Sequence, residues 1–166
     1  RIVDDLFLLA RSDAGHLVVH REAIHLEDVV DDVARGMRPV AESRGVQVQV
    51  TEVAEAPMRG DADLLGRLLL NLLDNAIQAM HQKGRVWLAT KYDTKRRRAV
   101  VSVADEGTGI APEDREKLFV PYFTRKKTGT GLGLAIVRRI ITDHEGQIQA
   151  GPNHPKGAVF TFELPV

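Results

Sequence analysis

The sequence predicts an α+β fold, a two-layer sandwich. Three observations carry this. Helical and strand patterns are mixed along the chain without the regular βαβ alternation of a parallel-sheet protein. Residues 85–92 and 99–104 form a hairpin through the polar turn 93–98. After a last helix, the chain closes on two strands, 147–150 and 158–164.

The elements follow in order. Ile2, Val3, Leu6, Leu9 and Ala10 fall at helical spacing within residues 1 to about 14, and Gly15 can stop that helix. Residues 17–26 read as a strand. Residues 27–44 form a helix with Val29, Val30, Val33, Met37 and Val40 on its inner face and Gly45 after its end. Residues 46–51 alternate like a half-buried strand. Residues 61–82 form a long helix opened by Asp61, a capping residue. Pro112 suits the first turn of a short helix. Residues 132–144 form the last helix, ended by Gly146. There is no internal repeat.

The 166 residues suffice for one domain with a real core. Basic and acidic residues balance, 23 against 23, so no global field draws the chain to nucleic acid or an anionic membrane. Lys95, Arg96, Arg97 and Arg98 lie in the hairpin turn and read as a solvated turn. Cysteine is absent, which excludes disulfides and cysteine metal sites and fits a reducing cytoplasm. No apolar run has the length of a membrane span. The chain starts at Arg1 inside a helix, so a longer parent protein is expected.

Three segments carry chemistry. Gly129-Thr130-Gly131-Leu132-Gly133-Leu134 runs straight into a helix. Glycines let backbone amides converge on an anion, and the helix adds its positive N-terminal end, so the segment suits phosphates. Asp105-Glu106-Gly107-Thr108-Gly109-Ile110 follows an apolar strand and sets a carboxylate over a glycine-rich loop. An ionised carboxylate only accepts hydrogen bonds, so it favours adenine's exocyclic amine over guanine's carbonyl. A capping role for Asp105 in its own loop is the alternative. Asn71 and Asn75, four apart, project from one helix face, with Gln78 next along it. Amide oxygens suit Mg²⁺ that shares phosphate oxygens; hydrogen bonds to nearby backbone are the alternative.

Together these segments resemble the N, G1 and G2 boxes of the ATP-binding domain of sensor histidine kinases, in the superfamily shared with gyrase, Hsp90 and MutL. Leu118-Phe119-Val120-Pro121-Tyr122-Phe123 resembles the F box between G1 and G2. The resemblance covers nearly the whole chain, and four boxes in order make it specific. Asn75-Ala76-Ile77-Gln78-Ala79-Met80 and Pro121-Tyr122-Phe123-Thr124 look most similar to kinases of the nitrogen-regulation type.

The resemblance implies a Bergerat-type fold, with a mixed, mostly antiparallel sheet and helices packed on one face. It implies that residues 1–15 are the tail of a dimerisation helix, a helix docked on this domain being the alternative, and residues 16–166 the catalytic domain. That domain would use ATP and Mg²⁺ and pass the γ-phosphoryl to a histidine on a dimerisation domain outside this chain. A response-regulator receiver domain would take it next, and the full-length protein would be a homodimer. By the same resemblance, Asn75 is the metal ligand and Asn71 supports the metal–phosphate site. Asp105 reads adenine, with Gly107, Gly109 and Ile110 against the base. Phe119 and Phe123 pack the base of a lid spanning 119–129, ordinary core packing being the alternative. Lys126, Lys127 and Thr128 reach the phosphates, and Gly129, Thr130, Gly131, Leu132, Gly133 and Leu134 cradle them. The lid is expected to swing as a compact flap.

Three departures stand out. None of His16, His20, His25, His81, His144 or His154 has the setting of a phospho-acceptor. Ala158 follows Gly157 where relatives often carry a hydroxyl near the adenine. Gln78 stands where many kinases place a lysine. Two other readings compete: an ATP-hydrolysing machine of the gyrase–Hsp90–MutL kind, and a non-catalytic nucleotide sensor. The hydrolysing relatives carry a general-base Glu at the place of Asn71.

Overall fold

Strict alternation decides which face of each strand is covered. In the computed structural model, which describes residues 2–13, 18–81 and 83–166, Ala99, Val101 and Val103 of one strand are buried, and the residues between them are half-exposed. Val86, Leu88 and Thr90 on a second strand, and Ala158, Phe160, Phe162 and Leu164 on a third, repeat the pattern. One face of the sheet therefore holds the core.

The elements are α1 (Ile2–Asp13), β1 (Glu22–His25), α2 (Leu26–Ser43), β2 (Val46–Val53), β3 (Pro57–Gly60), α3 (Ala62–Gln78), β4 (Gly84–Asp93), β5 (Arg98–Asp105), a 3-10 turn (Pro112–Lys117), α4 (Gly133–Asp143), β6 (Gln147–Pro152) and β7 (Ala158–Pro165). The main sheet has the order β2-β4-β5-β7-β6. β2 pairs with β4 in parallel, and every other neighbour pair is antiparallel. Helices α2, α3 and α4 pack on its core face, α2 against β2 and α3 between the other two. The apolar stripe of α3 is the centre of that layer: Leu65, Leu68, Leu69, Leu72, Leu73 and Ile77 are essentially inaccessible. The two-layer α+β expectation and the single-faced helix layer both hold.

Several boundaries moved. The strand expected over 17–26 shrinks to Glu22–His25. It joins β3, not the main sheet. Residues just before it are engaged elsewhere: the His20 amide donates to Asp61, and the Arg21 guanidinium to the Asp143 carbonyl. β3 went unread because it is four residues long, starts at a proline and ends at a glycine, with Met58 as its one large buried side chain. Helix α3 ends at Gln78, not 82; Ala79 caps it and its carbonyl accepts from the Thr108 amide, turning the chain toward β4. Gln82 and residues 14–17, including the expected stop at Gly15, lie outside the described residues. The short helix after Pro112 is a 3-10 turn. Helix α1 lies against α4, with Leu8 buried and Asp5 paired to Arg67 of α3.

Candidate nucleotide-binding site

Asp61 starts the helix that carries the asparagines. Its backbone is extended and its carboxylate accepts from the Leu64 amide at 3.0 Å, satisfying one of the helix's free donors. Three turns on, Asn71 and Asn75 face the start of α4. The Asn71 amide nitrogen donates to the Arg67 carbonyl at 3.0 Å. That bond turns its oxygen outward, so that a Cβ placed on Gly133 would lie 3.1 Å from Asn71 Oδ1. The glycine-rich turn and the asparagine face are thus in direct apposition. Leu132 caps α4 without any side-chain hydrogen bond, so the helix's positive end is not neutralised by a side chain.

The turn itself is shaped by Gly131. Its φ is +70°, and a Cβ there would sit 2.4 Å from the Tyr122 carbonyl carbon. The Tyr122 amide donates to the Gly131 carbonyl at 2.9 Å, tying the end of the Phe119–Phe123 segment to the turn. Thr130 Oγ1 accepts from the Leu132 amide at 3.3 Å, and Gly129 closes a turn on the Lys126 carbonyl at 3.2 Å. Leu132 is buried, and Leu134 packs half-buried on the core.

Asp105, at the end of β5, is 2% exposed. The Gly107 and Ala158 amides donate to its Oδ1 at 2.8 and 3.2 Å. Both bonds fall on one oxygen, which leaves the acceptor capacity of Oδ2 for a ligand. Burial pushes this carboxyl above the usual range, and the two amides and Lys126 only partly offset it. The position where relatives often carry a hydroxyl, Ala158, supports the aspartate through its backbone instead. Gly157 is the second glycine that the site requires: its φ is +103°, and a Cβ there would fall 1.8 Å from the Asp105 carbonyl oxygen. The Asn153 side-chain amide donates to that same carbonyl at 2.8 Å. The sequence reading missed both Asn153 and Gly157. They lie in a loop between strands, Pro152-Asn153-His154-Pro155-Lys156-Gly157, that reads only as a turn. A Cβ on Gly109 would lie 3.1 Å from the Gly157 carbonyl oxygen, and Ile110 is half-buried against the core.

The lid residues divide. The Lys126 ammonium donates to Asn75 Oδ1 and to Gln78 Oε1, each at 2.9 Å. Burial lowers its pKa, and Asp74 and Asp105 partly offset that. Arg125 makes a two-pronged pair with the buried carboxylate of Asp114, at 2.7 and 2.9 Å, anchoring the lid to the 3-10 turn. Lys127 and Thr128 are exposed. Phe119 turns to the core and α4, edge-on to Phe160 at 6.4 Å with Arg138 over its ring. Phe123 is half-buried, its amide donating to the Val120 carbonyl. The structure therefore brings Asn71, Asn75, Lys126 and Gly133 together, with Asp105 at the adjoining strand end. Phe119 belongs to the packing beneath.

A mixed sheet with one helical layer, an amide-bearing helix facing a glycine-rich helix start, and a buried aspartate at a strand end define a nucleotide-binding sandwich. Over residues 60–166 the chain matches the family described as histidine kinase-, DNA gyrase B- and HSP90-like ATPases, and it belongs to that family. It is 38% identical over 167 residues to sensor histidine kinase ZraS of Salmonella typhi, matching 100% of this chain and 35% of that protein. Over 132 residues it is 38% identical to signal transduction histidine-protein kinase AtoS of Escherichia coli (strain K12), covering 76% of this chain and 22% of the relative. The chain thus spans about a third or less of these curated relatives. Among solved structures it resembles full-length ShkA in complex with AMPPNP, at a TM-score of 0.86 and 31% identity, over 98% of this chain and 35% of that one. It also resembles the nucleotide-free catalytic domain of histidine kinase ThkA, at a TM-score of 0.79 and 31% identity, over 87% of this chain and 95% of that one.

Proposed function

We propose that the chain is the catalytic ATP-binding domain of a sensor histidine kinase. It binds Mg-ATP and presents the γ-phosphoryl to a histidine on a dimerisation domain, for relay to a response-regulator receiver domain. One observation carries this reading: Asn71 and Asn75 face the open start of α4, with Asp105 buried at the strand end. Asp105 Oδ2 accepts from the adenine amine. Backbone amides of the glycine-rich turn hold the phosphates.

The residues present fit a magnesium ion. Asn75 Oδ1 and Gln78 Oε1 already hold a cation, the Lys126 ammonium. Both are hard, neutral oxygen donors, which suits an ion whose remaining ligands are water and phosphate oxygens. Asn75 would hold it, with Asn71 supporting the phosphate side. A bound Mg²⁺ would supply positive charge against the phosphate oxygens held at this end of the site.

Asn71 also determines what the site does not do. A neutral amide is a very poor base and cannot activate water as a glutamate would. Bound ATP should therefore persist, with turnover well below the common enzyme range of roughly 1–1000 per second. Residues 1–15 are read as the end of a dimerisation helix; their described part, α1, lies on α4 beside residues 119–122, as a helix docked on this domain also would.

The test is transfer in trans. Incubated with radiolabelled ATP and a separately made histidine-bearing dimerisation domain, the chain should label that domain in an acid-labile form and leave itself unlabelled. Label on the chain alone, or rapid Mg-dependent phosphate release by the purified protein, would overturn the kinase reading.

A further inference from the structure

The peptide that follows Asp105 is gripped at both ends. β5 pairs with β7 only as far as Ala104, opposite Val159, so Asp105 lies one residue beyond that ladder. On the β4 side, the Glu106 amide donates to the Arg85 carbonyl at 3.3 Å. On the other side, the Asp105 carbonyl accepts from the Asn153 side-chain amide at 2.8 Å, across 48 residues of sequence. The Asn153 side chain thus stands where a neighbouring strand would supply an amide. Asn153 is itself fixed. Its backbone amide donates to the Gly157 carbonyl at 3.0 Å, closing the loop 153–157. Its Oδ1 accepts from the His154 amide at 3.0 Å, which leaves the side-chain nitrogen turned to Asp105. Aspartate in its place would set acceptor against acceptor, and alanine would take this donor from the carbonyl.

We propose that Asn153 is a positioning residue for nucleobase recognition: it fixes the Asp105 backbone and so aims the carboxylate at adenine's exocyclic amine. This rests on the reading of Asp105 as the residue that meets the base. The Gly107 and Ala158 amides hold Oδ1, and Asn153 and Arg85 hold the peptide. With the carboxylate and the backbone both pinned, Oδ2 is left one direction. A hydrogen bond weakens steeply as it bends from its line. A small rotation at Asp105 therefore costs the amine its acceptor and leaves the phosphate-holding turn, on α4, where it is. Asn153 acts on the choice of base through Asp105, from a loop between two strands at the far side of the ladder.

A cycle between this side chain and one group of the ligand tests the proposal. Calorimetry compares Mg-ADP with Mg-purine riboside diphosphate, which lacks the exocyclic amine, on wild type, Asn153→Ala and Asn153→Asp. Asn153 is half-buried in a loop, so the variants should fold, and circular dichroism checks this. Wild type should bind ADP about tenfold more tightly than the amine-free ligand, the effect of one hydrogen bond to a charged group. Each variant should lose about fivefold or more for ADP and less than about twofold for the amine-free ligand, so the preference collapses. Asn153→Asp should do so although it keeps the acceptor for the His154 amide. Equal losses for both ligands would show that Asn153 only shapes its loop, and would overturn the proposal, as would unchanged affinity for both. A wild type that does not distinguish the two ligands would instead count against Asp105 as the base reader. Exchange of the Gly107 and Ala158 amide protons, measured without added nucleotide, then decides the clamp: faster in both variants if Asn153 fixes Asp105, unchanged if it does not.

Discussion

At the scale of single residues, function and stability pull Asp105 in opposite directions. Its carboxyl is raised by burial, so the folded state holds the proton more tightly than the unfolded one. The stability it contributes is therefore present at low pH and lost as pH rises through the raised value. At neutral pH the ionised group is a burden that the Gly107 and Ala158 amides and Lys126 relieve in part, and that a ligand donor at Oδ2 would relieve further. Asp105→Asn should keep the bonds from Gly107 and Ala158 while removing the charge. Its melting temperature should equal or exceed that of the wild type. Its ATP affinity should fall by about 1.5–3 kcal/mol, on the order of 10- to 100-fold in Kd. Calorimetry and thermal melts on one preparation test both halves, and unchanged ATP affinity would remove Asp105 from the adenine site.

His144 is a second residue-scale case, with the opposite sign. It is buried at the end of α4, where Nδ1 donates to the Ile140 carbonyl and Nε2 accepts from the Asp61 amide. Burial lowers its pKa, and Arg21 lowers it further against the opposing pull of Asp61 and Asp143. The unfolded chain takes the proton first, so stability is complete above about pH 6.5 and is lost as pH falls from there toward the depressed value. Melting temperatures should drop between pH 7.5 and 5.5, and His144→Gln should flatten that drop. An identical slope in the variant would show that another group governs the acid limb. Nothing in the sequence separates this histidine from the other five; only its place between two helix ends does.

Elements show where sequence reading succeeds. The helix bearing Asn71 and Asn75 was legible because its apolar stripe and capping aspartate are local signals. Asp61→Ala should cost about 0.5–2 kcal/mol, through the lost cap and the lost bond from the His20 amide. Chemical denaturation measures this directly. The glycine-rich turn was legible for the same reason, since its positive φ is written in the residue type. Gly131→Ala should strain the turn against Tyr122, destabilise the fold by 1 kcal/mol or more, and weaken nucleotide binding with it. β3, Asn153 and Gly157 were not legible. Each acts through a partner distant in sequence, β3 by pairing with β1, and the other two by clamping the Asp105 carbonyl. The Lys126 contact is half legible: the basic lid is evident and Gln78 follows the asparagines along their helix face, but nothing local in the sequence pairs the two.

For the whole molecule, topology matters more than any one contact. The parallel joint between β2 and β4 is the single place where the main sheet departs from antiparallel order, and the chain between those strands contains β3 and all of α3. β2 joins the edge of the antiparallel β4-β5-β7-β6 ladder only when that crossover is in place. The helix that carries both asparagines is therefore delivered to the pocket by the same step that completes the sheet. Long-range parallel pairing is slow to nucleate, because the loop must close before contacts reward it. A newly made chain should accordingly gain ligand competence late and all at once, not by gradual maturation of a preformed cleft. The protein carries its own reporter of that moment. Trp87, the only tryptophan, lies on β4 opposite Gln49 of β2 and Ala104 of β5, with Arg85 over its ring at 5.2 Å. Its fluorescence during refolding registers the closing of the joint, and the onset of nucleotide capture should coincide with it in time.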